Sequence, residues 1–527
     1  MKKHISKLTI ICVFTLCLLG CDFSDNEIYK YANLFSSNSS IVPTRSSGVY
    51  NSEFLDLEFK GLGATNMVCL YNKDTVEVAG STICLKIGLD NLKISLIPSA
   101  AKVYKQYSNT WHSPKGKLSS FHNVRVFQYN EGVLVDSITC NYILGSTSKD
   151  ELPVVSLNVE EGFLFSQDSG SYVPGESFNP EDEYNSGNYY LFKRRKQPAH
   201  IQILDSANEF LNENLFFRTH GYITPVAPQK SLRFYNNGNR TLSDLLGVNH
   251  ELDKFILRSS YSGWQSEIFV DGWIADVCTC LNLDVMAYRP AKVYLNNEYW
   301  GIHGLRERLD IKAIASKHGV KPKKIIDADD KGYSYKDESF GDLNTMLKEI
   351  KSDSTFSYKD IKKSFKMKSL VDWVVVELFF QNTDWPCNNT FFWKKTKKSG
   401  EWRAVLIDMD ASVGDPKNNM FEYATKDRSP SLGGVLVTYL LNHPDFQYLF
   451  KERVAYLFDN ELSKKVLKQK LRYYKLLFAP AIEEHYNRWN PNGGLSEYEK
   501  SLNRLDNFCE HRHEYFIENM KAYFMEE

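Results

Sequence analysis

The 527-residue sequence lacks a surplus of either charge: 64 Lys and Arg face 65 Asp and Glu, for a formal net charge of −1. A protein that coats a polyanion carries a basic excess, so no nucleic-acid partner is expected. A local run such as Lys193–Lys196 (KRRK) reads as a solvated face on a balanced chain. Cysteine is scarce as well, at 10 residues. Setting aside Cys12, Cys17 and Cys21 near the N-terminus leaves Cys69, Cys84, Cys140, Cys278, Cys280, Cys387 and Cys509, an odd set without CxxC or His-partnered zinc spacing. An oxidising compartment would permit Cys69 to pair with Cys84 or Cys140, but so few cysteines are no disulfide framework, and buried reduced thiols are expected. Beyond the first twenty residues no unbroken apolar run reaches the roughly 18 residues of a membrane-spanning helix. Disorder is excluded by the 43% hydrophobic and 14% aromatic content, and the length suggests roughly two to four domains.

What the sequence does contain begins with a basic stub, Lys2, Lys3 and Lys7, ahead of Leu8–Gly20 (LTIICVFTLCLLG). That stretch is shorter than the roughly 20 residues needed to cross a bilayer, so residues 1–20 read as a secretory signal. Leu18-Leu19-Gly20-Cys21 resembles the bacterial lipobox, whose cysteine is acylated and becomes the new N-terminus. Lipidation at Cys21 would anchor the chain to a membrane and place it in the cell envelope, at the outer membrane, facing either the periplasm or the outside. Residues 21–47, rich in Ser and Asn, read as a flexible tether.

From 48 to 147 the texture changes to short alternating runs, Phe54–Phe59, Thr82–Ile87, Val124–Tyr129 and Thr139–Leu144, separated by turn formers. This pattern predicts an antiparallel β-sandwich. It carries no convergent acids or histidines, which suits a spacer or a binding module. A second unit, 152–525, starts at Pro153–Leu157 and continues with strands at Ile201–Leu204, Leu215–His220, Ser231–Tyr235, Phe255–Arg258, Ala291–Leu295 and Tyr299–Gly304. Asn296-Asn297-Glu298 is a hairpin signal between the last two. Helical spacing marks Ser266–Leu281, and helices dominate after Ile311, at Asn344–Ser352, Ser369–Gln381, Gly433–Phe458 and much of Ser463–Phe524. Strands first and helices later predict an α+β, two-lobed body.

The most informative segment is Phe379–Gly414, FFQNTDWPCNNTFFWKKTKKSGEWRAVLIDMDASVG. A helix runs into Asn382-Thr383-Asp384, a Pro-containing loop follows, and two strands, Thr390–Lys395 and Trp402–Ile407, end at Asp408 and Asp410. Phosphoryl transfer needs one carboxylate to position or deprotonate the attacking hydroxyl, while an amide oxygen and a second carboxylate hold Mg²⁺ or Mn²⁺ against phosphates. Asp384 and Asn389 reproduce the D-x-x-x-x-N spacing of a protein-kinase catalytic loop, and Asp408 stands where a kinase has its metal-binding Asp. Hard oxygen ligands of this kind suit Mg²⁺ or Mn²⁺ rather than zinc. Trp385, Trp393 and Trp402 read as core aromatics under the hairpin, and His303 and His443 as structural.

Four segments in this order, RTHG…QKSLRF (Arg218–Phe234), RPAKVYLNNEYWGIHGLRERLD (Arg289–Asp310), NTDWPCNNTFFW (Asn382–Trp393) and WRAVLIDMDASVG (Trp402–Gly414), resemble the CotH spore-coat kinase family. The resemblance is strongest to lipoproteins in which a sandwich similar to the C-terminal domain of hexosaminidases precedes an atypical kinase-like domain. It implies ATP as phosphoryl donor with Mg²⁺ or Mn²⁺, and Ser or Thr of a secreted or surface protein as acceptor. It further implies Asp384 as the catalytic-loop acid, and Asn389, Asp408 and Asp410 around the metal. Arg218, Lys230 and Arg233 would face phosphates, and Glu307 would stand near the adenine. Arg218 and Arg233 suit surface salt bridges equally well. The chain departs from the family in having Val270 before Asp271, where an Arg is common. An envelope location, where ATP is scarce, leaves two other readings: a catalytically silent lipoprotein that binds a glycan or protein, and an assembly scaffold.

Overall fold

The computed structural model of the protein describes residues 27–30, 39–71, 74–89, 114, 118–146, 151–182, 185–205, 208–221, 224–235, 241–260, 263, 266–329, 350, 357–396, 400–426, 432–489 and 494–525. The expected signal at 1–20 and Cys21 lie outside them, as does nearly all of the helix expected at Asn344–Ser352. The chain divides into two compact units, Met1–Asn91 with Ser119–Lys149, and Leu92–Leu118 with Asp150–Glu527.

The first unit contains β1 (Glu27–Lys30), β2 (Ile41–Pro43), β3 (Gly48–Tyr50), β4 (Phe54–Gly61), β5 (Asn66–Tyr71), β6 (Asp74–Ala79), β7 (Thr82–Gly88), β8 (Ser120–Asn130) and β9 (Val133–Leu144). One sheet runs β1-β3-β9-β8-β5-β6 and the other β2-β4-β7. Pairing is antiparallel except between β3 and β9. Alternation dictates the packing: Leu55, Leu57 and Phe59 of one sheet meet Met67, Cys69, Val124, Val126 and Cys140 of the other in a single core. The segment expected as a tether is partly ordered, which corrects that reading. Ile41 is buried in this core, and Ser39 and Ser40 are held by the Asp136 carboxylate, at 2.8 Å from the Ser39 hydroxyl and 2.6 Å from the Ser40 N–H. A Ser-rich composition therefore conceals a short strand that one inward isoleucine is enough to fix. The seven cysteines among the described residues are free thiols.

The second unit is mixed α/β. Its strands are β10 (Val154–Asn158), β11 (Gln197–Asp205), β12 (Asn208–His220), β13 (Ser231–Tyr235), β14 (Lys254–Arg258), β15 (Asp284–Val285), β16 (Tyr288–Leu295), β17 (Glu298–Glu307), β18 (Ile325–Asp329), β19 (Phe391–Lys395) and β20 (Arg403–Leu406). Strands β10 to β14 pair antiparallel in succession, β14 pairs with β17, β17 with β16, and β16 returns parallel to β10. The sheet closes into a barrel-like ring. Asn296 and Asn297, both left-handed at φ 48° and 74°, make the two-residue turn between β16 and β17. Inside the ring, Phe217, Phe234 and Phe255 stack with centroids 5.7 and 4.8 Å apart. Trp489, from the helix Ile482–Trp489, enters the same cluster and donates to the Trp300 carbonyl at 3.0 Å. Gly301 permits this approach: its φ is +91°, and a Cβ there would lie 2.4 Å from the Trp489 indole nitrogen.

A second hydrophobic cluster is built around the helix Met367–Phe380, buried along all but its first two residues. Such a helix belongs at the centre of a core, and its one fully buried aspartate, Asp372, is satisfied by Arg453 at 2.5 and 3.1 Å. Around it lie Pro444–Asp459, Lys464–Phe478 and Gly494–Tyr523. The single helix expected at Gly433–Phe458 is two, Leu432–Leu441 and Pro444–Asp459. Pro444 cannot donate within a helix interior, so it starts a new one, capped by His443 accepting from the Asp445 N–H at 3.2 Å. The helix expected at Ser266–Leu281 is shorter, Val270–Val277, followed by a tight 3₁₀ turn at Cys278–Cys280. A small sheet, β15-β20-β19-β18, completes the unit. No helix among the described residues is long and apolar enough to cross a membrane.

Phe234→Ala is expected to destabilise the chain by about 3–5 kcal/mol, and Phe216→Ala, on the outer face and 55% exposed, by about 0.5 kcal/mol or less. Urea unfolding followed by tryptophan fluorescence measures both.

Candidate functional site

The helix Met367–Phe380 ends at Gln381 in the left-handed conformation, φ 62°, a common way to terminate a helix. The chain then turns through Asn382, Thr383 and Asp384. Asn382 is fully buried: its Nδ2 donates to Glu377 at 2.9 Å and its Oδ1 accepts from the Asp384 N–H at 3.2 Å. Burial raises the Glu377 carboxyl well above the ordinary carboxylate range, against smaller opposing effects of hydrogen bonds from Asn382 and Trp373. Asp384 itself is exposed.

Two bridges fasten this loop to the one after β20. The Thr383 N–H and hydroxyl both donate to the Ala411 carbonyl, at 3.1 and 2.9 Å, and Asn389 Nδ2 donates to the Asp408 carbonyl at 3.2 Å. Asn389 and Asp408 are both left-handed, at φ 60° and 53°, a conformation that Asn and Asp tolerate better than most side chains. The sequence-predicted residues Asp384, Asn389, Asp408 and Asp410 thus belong to two cross-linked loops.

The strongest electrostatic feature of the site was not foreseen from the sequence. Arg258, the last residue of β14, reaches three carboxylates: Nε lies 3.3 Å from Asp271, Nη1 2.9 Å from Asp408 and Nη2 3.0 Å from Asp410. Burial works against its charge, but Asp408 and Asp410 outweigh that and hold its pKa above the ordinary value. Arg306 of β17 also pairs with Asp271, and its guanidinium is drawn down to about 9, first by burial and then by Arg258. Asp271 accepts from the Met409 N–H at 3.2 Å as well. Asp408 is the most open of the three acids, with 30% of its side chain exposed against 12% for Asp410 and 5% for Asp271. The basic partner expected just before Asp271 is supplied instead by two strands. That substitution could not be read from Val270-Asp271, because it depends on which strands neighbour the helix.

Strand register places the expected phosphate-facing residues. Arg218 is opposite Arg233, Arg233 opposite Ile256, and Ile256 opposite Arg306. Opposed residues share a sheet face, and Arg258 is two positions along from Ile256, so these four arginines form a row on the face away from the Phe stack. His220 stands among them, accepting from Arg233 at 2.7 Å. Its pKa is pressed well below the usual value by burial and by Arg233, Arg308, Arg258 and Arg218. Arg233 is lowered to about 10 by burial and by Arg308 and Arg218.

Two expected ligands do not join this row. Lys230 is buried beneath the ring, where its ammonium donates to the carbonyls of Pro225 and of Ala227, the latter at 3.0 Å, and lies 5.2 and 5.3 Å from the Tyr172 and Tyr189 ring centres. Burial lowers its pKa to about 7. It closes a turn rather than facing a phosphate, because it precedes β13 and points opposite to Arg233. Glu307 is also buried: one oxygen hydrogen-bonds His250 Nε2 at 2.5 Å and the other accepts from the Ala287 N–H at 3.3 Å. With both oxygens engaged inside the protein, it does not face a base.

Asp408, Asp410 and Asn389 are hard oxygen donors, and because Asn389 Nδ2 is committed to the Asp408 carbonyl, its Oδ1 is the atom able to face a cation. Among the described residues no group of three or more His, Cys, Asp or Glu is arranged to hold a metal by itself. The set therefore fits Mg²⁺ held by one or two carboxylates and completed by phosphates and water. A sequence model of the CotH kinase protein family matches residues 217–516, more than half of the chain and all of the loops and arginines just described. No curated protein matches the chain.

Replacing Arg258 by Met is expected to cost about 3–5 kcal/mol, since it strands buried acids. Arg258→Lys should recover only part of this, because one ammonium cannot span three carboxylates; the shift in urea midpoint reads both. For Lys230, the folded state binds the proton less tightly than the unfolded state, so stability is lower below about pH 7 and rises toward pH 10.5. The Lys230→Met variant should lack this rise, on the order of 3–5 kcal/mol, when stability is measured against pH for both proteins.

Proposed function

Because the chain belongs to the CotH kinase protein family, we propose that it is an atypical protein kinase moving the ATP γ-phosphoryl group to Ser or Thr of a secreted or surface protein. The strand ring and the helical region would serve as its two lobes. The observation that carries this reading is the bridging of the two loops: the Asp408 and Ala411 carbonyls are bonded to the loop that presents Asp384, so the expected acid and the expected cation ligands belong to one site.

The chemistry follows from those positions. Asp384 accepts the proton of the acceptor hydroxyl as its oxygen attacks the γ-phosphorus. The bond from that phosphorus to the β–γ bridging oxygen breaks, and ADP leaves with the electron pair. Arg218 and Arg233 supply the positive face that phosphates require. Asp408, Asp410 and Asn389 would hold Mg²⁺ or Mn²⁺, which when bound neutralises the charge on the phosphate oxygens. The basic stub, the apolar run and Leu-Leu-Gly-Cys21 support an envelope location with a lipid anchor at Cys21.

A second reading, a silent lipoprotein that binds a glycan or protein, is favoured by one arginine. Arg258 already lays a cation across Asp408 and Asp410, as a permanent substitute for a metal would. Under the kinase reading, saturating ATP with Mg²⁺ stabilises the chain by about 2.7 kcal/mol at a hundredfold excess over Kd, and labelled phosphate is transferred. Asp408→Ala removes both effects. Asp384→Ala keeps the thermal shift and lowers transfer by roughly 10²–10⁴. Neither shift nor transfer in the wild type leaves the silent reading standing.

A further inference from the structure

The basic row on the ring continues beyond the strands. After the helix Gly187–Leu191 the chain passes through Lys193-Arg194-Arg195-Lys196, and this run is fastened to β12 and β13. The Lys193 carbonyl accepts from Arg218 Nη1 at 3.3 Å and from the Thr219 hydroxyl at 3.5 Å. Lys196 lies over the Tyr235 ring at 3.9 Å, and the Tyr235 hydroxyl accepts from Arg218 Nε at 2.8 Å. Arg195 donates to the Ser169 carbonyl at 2.7 Å and covers Phe192.

Among the described residues, Arg194, Arg195, Lys196, Arg218, Arg233 and Arg308 have no carboxylate within ion-pair distance. Several lysines of the helical region, by contrast, do find acids: Lys464, Lys468, Lys475 and Lys500 each pair with one. Asp310, the acid that acts on Arg233, is taken by Lys254 and by the first N–H groups of the helix Ile311–Lys317. Arg195, Arg218, Arg233 and Arg308 are only partly exposed. A solvated face would hold such charges far out in water. Like charges kept together against the protein surface are costly until an anion neutralises them.

We infer that the Arg194–Lys196 segment, lying beside the Arg218–Arg233 row that would face the phosphates, docks an acidic stretch of the acceptor protein next to the Ser or Thr that is phosphorylated. Guanidinium groups pair bidentately with carboxylates. Partly covered arginines are reached by Asp and Glu side chains on an extended segment more readily than by a flat sheet of lipid headgroups. The inference rests on the kinase reading for the ligand's being an acceptor, whereas docking itself needs no turnover.

The test uses the full chain and fluorescent peptides carrying one Ser flanked by Glu, or by Lys in a matched control. Without nucleotide, the Glu peptide is expected to bind with strong salt dependence and the Lys peptide not to bind. Arg194→Glu with Lys196→Glu, both exposed positions, should weaken the Glu peptide about tenfold or more. With ATP and Mg²⁺, the same variant should raise the peptide KM by a similar factor while leaving kcat and the KM for ATP unchanged. Equal binding of the two peptides, or a variant indifferent to charge reversal, overturns the inference. So does a variant that loses binding to phosphatidylglycerol vesicles yet keeps the Glu peptide. If charge-dependent binding holds and no phosphate is transferred, the docking strip stands and the kinase reading falls.

Discussion

One guanidinium holds the second unit's charged centre together. Arg258 comes from the ring, Asp271 from the helix Val270–Val277, and Asp408 and Asp410 from the loop after β20. Two successive elements and a loop far downstream in the sequence therefore meet at a single planar group whose donors point in three directions. With Arg306 included, two cations face three acids. The excess negative charge falls on the outermost of them, Asp408, where water or a cation can answer it. A lysine or a histidine could not occupy this node, because neither offers a rigid fork of that width.

The position of that node is set by hydrophobic burial on the other side of the sheet. Phe217 is followed by Arg218, Arg233 by Phe234, and Leu257 by Arg258. Alternate side chains of a strand face opposite ways, so stacking the aromatic rings inside the ring turns the arginines outward together. A one-residue slip in any of these pairings would bury cations and expose phenylalanines. The large apolar term thus fixes the small electrostatic one, and the basic row needs no device of its own. The acids, by contrast, sit on loops whose left-handed residues and carbonyl bridges hold them.

Much of this was legible from the sequence, and what was not has a physical reason. Ser231–Tyr235 and the pair joined at Asn296-Asn297 were readable because short-range alternation and turn chemistry are local properties. Asp384, Asn389, Asp408 and Asp410 were readable because their spacing encodes a loop and a hairpin. Arg258 was hidden, since a charged residue at a strand end looks like a surface residue until β13, β14 and β17 are placed side by side. Lys230 and Glu307 misled for the converse reason: their charge suggested contact with a ligand, while the carbonyls of Lys230's own preceding turn and, for Glu307, a histidine distant in sequence satisfy them inside the protein. Pro444 was a visible helix breaker, and continuous apolar content on both sides masked it. The ring's closure was invisible, because it depends on β10 lying parallel to β16, a pairing with no local signature.

That closure also governs the order of events during synthesis. Strand β10 ends at Asn158, but its parallel partner begins at Tyr288, so over a hundred residues must emerge before the last seam can form. Until then β10 has an unpaired edge, and Val154, Val155 and Leu157, all fully buried in the finished protein, have only one neighbour available. Non-local pairing of this kind is slow and exposes adhesive edges meanwhile. A chain passed through a membrane from its N-terminus would meet that interval on the far side, where its unfinished ring depends on whatever holdase the compartment provides.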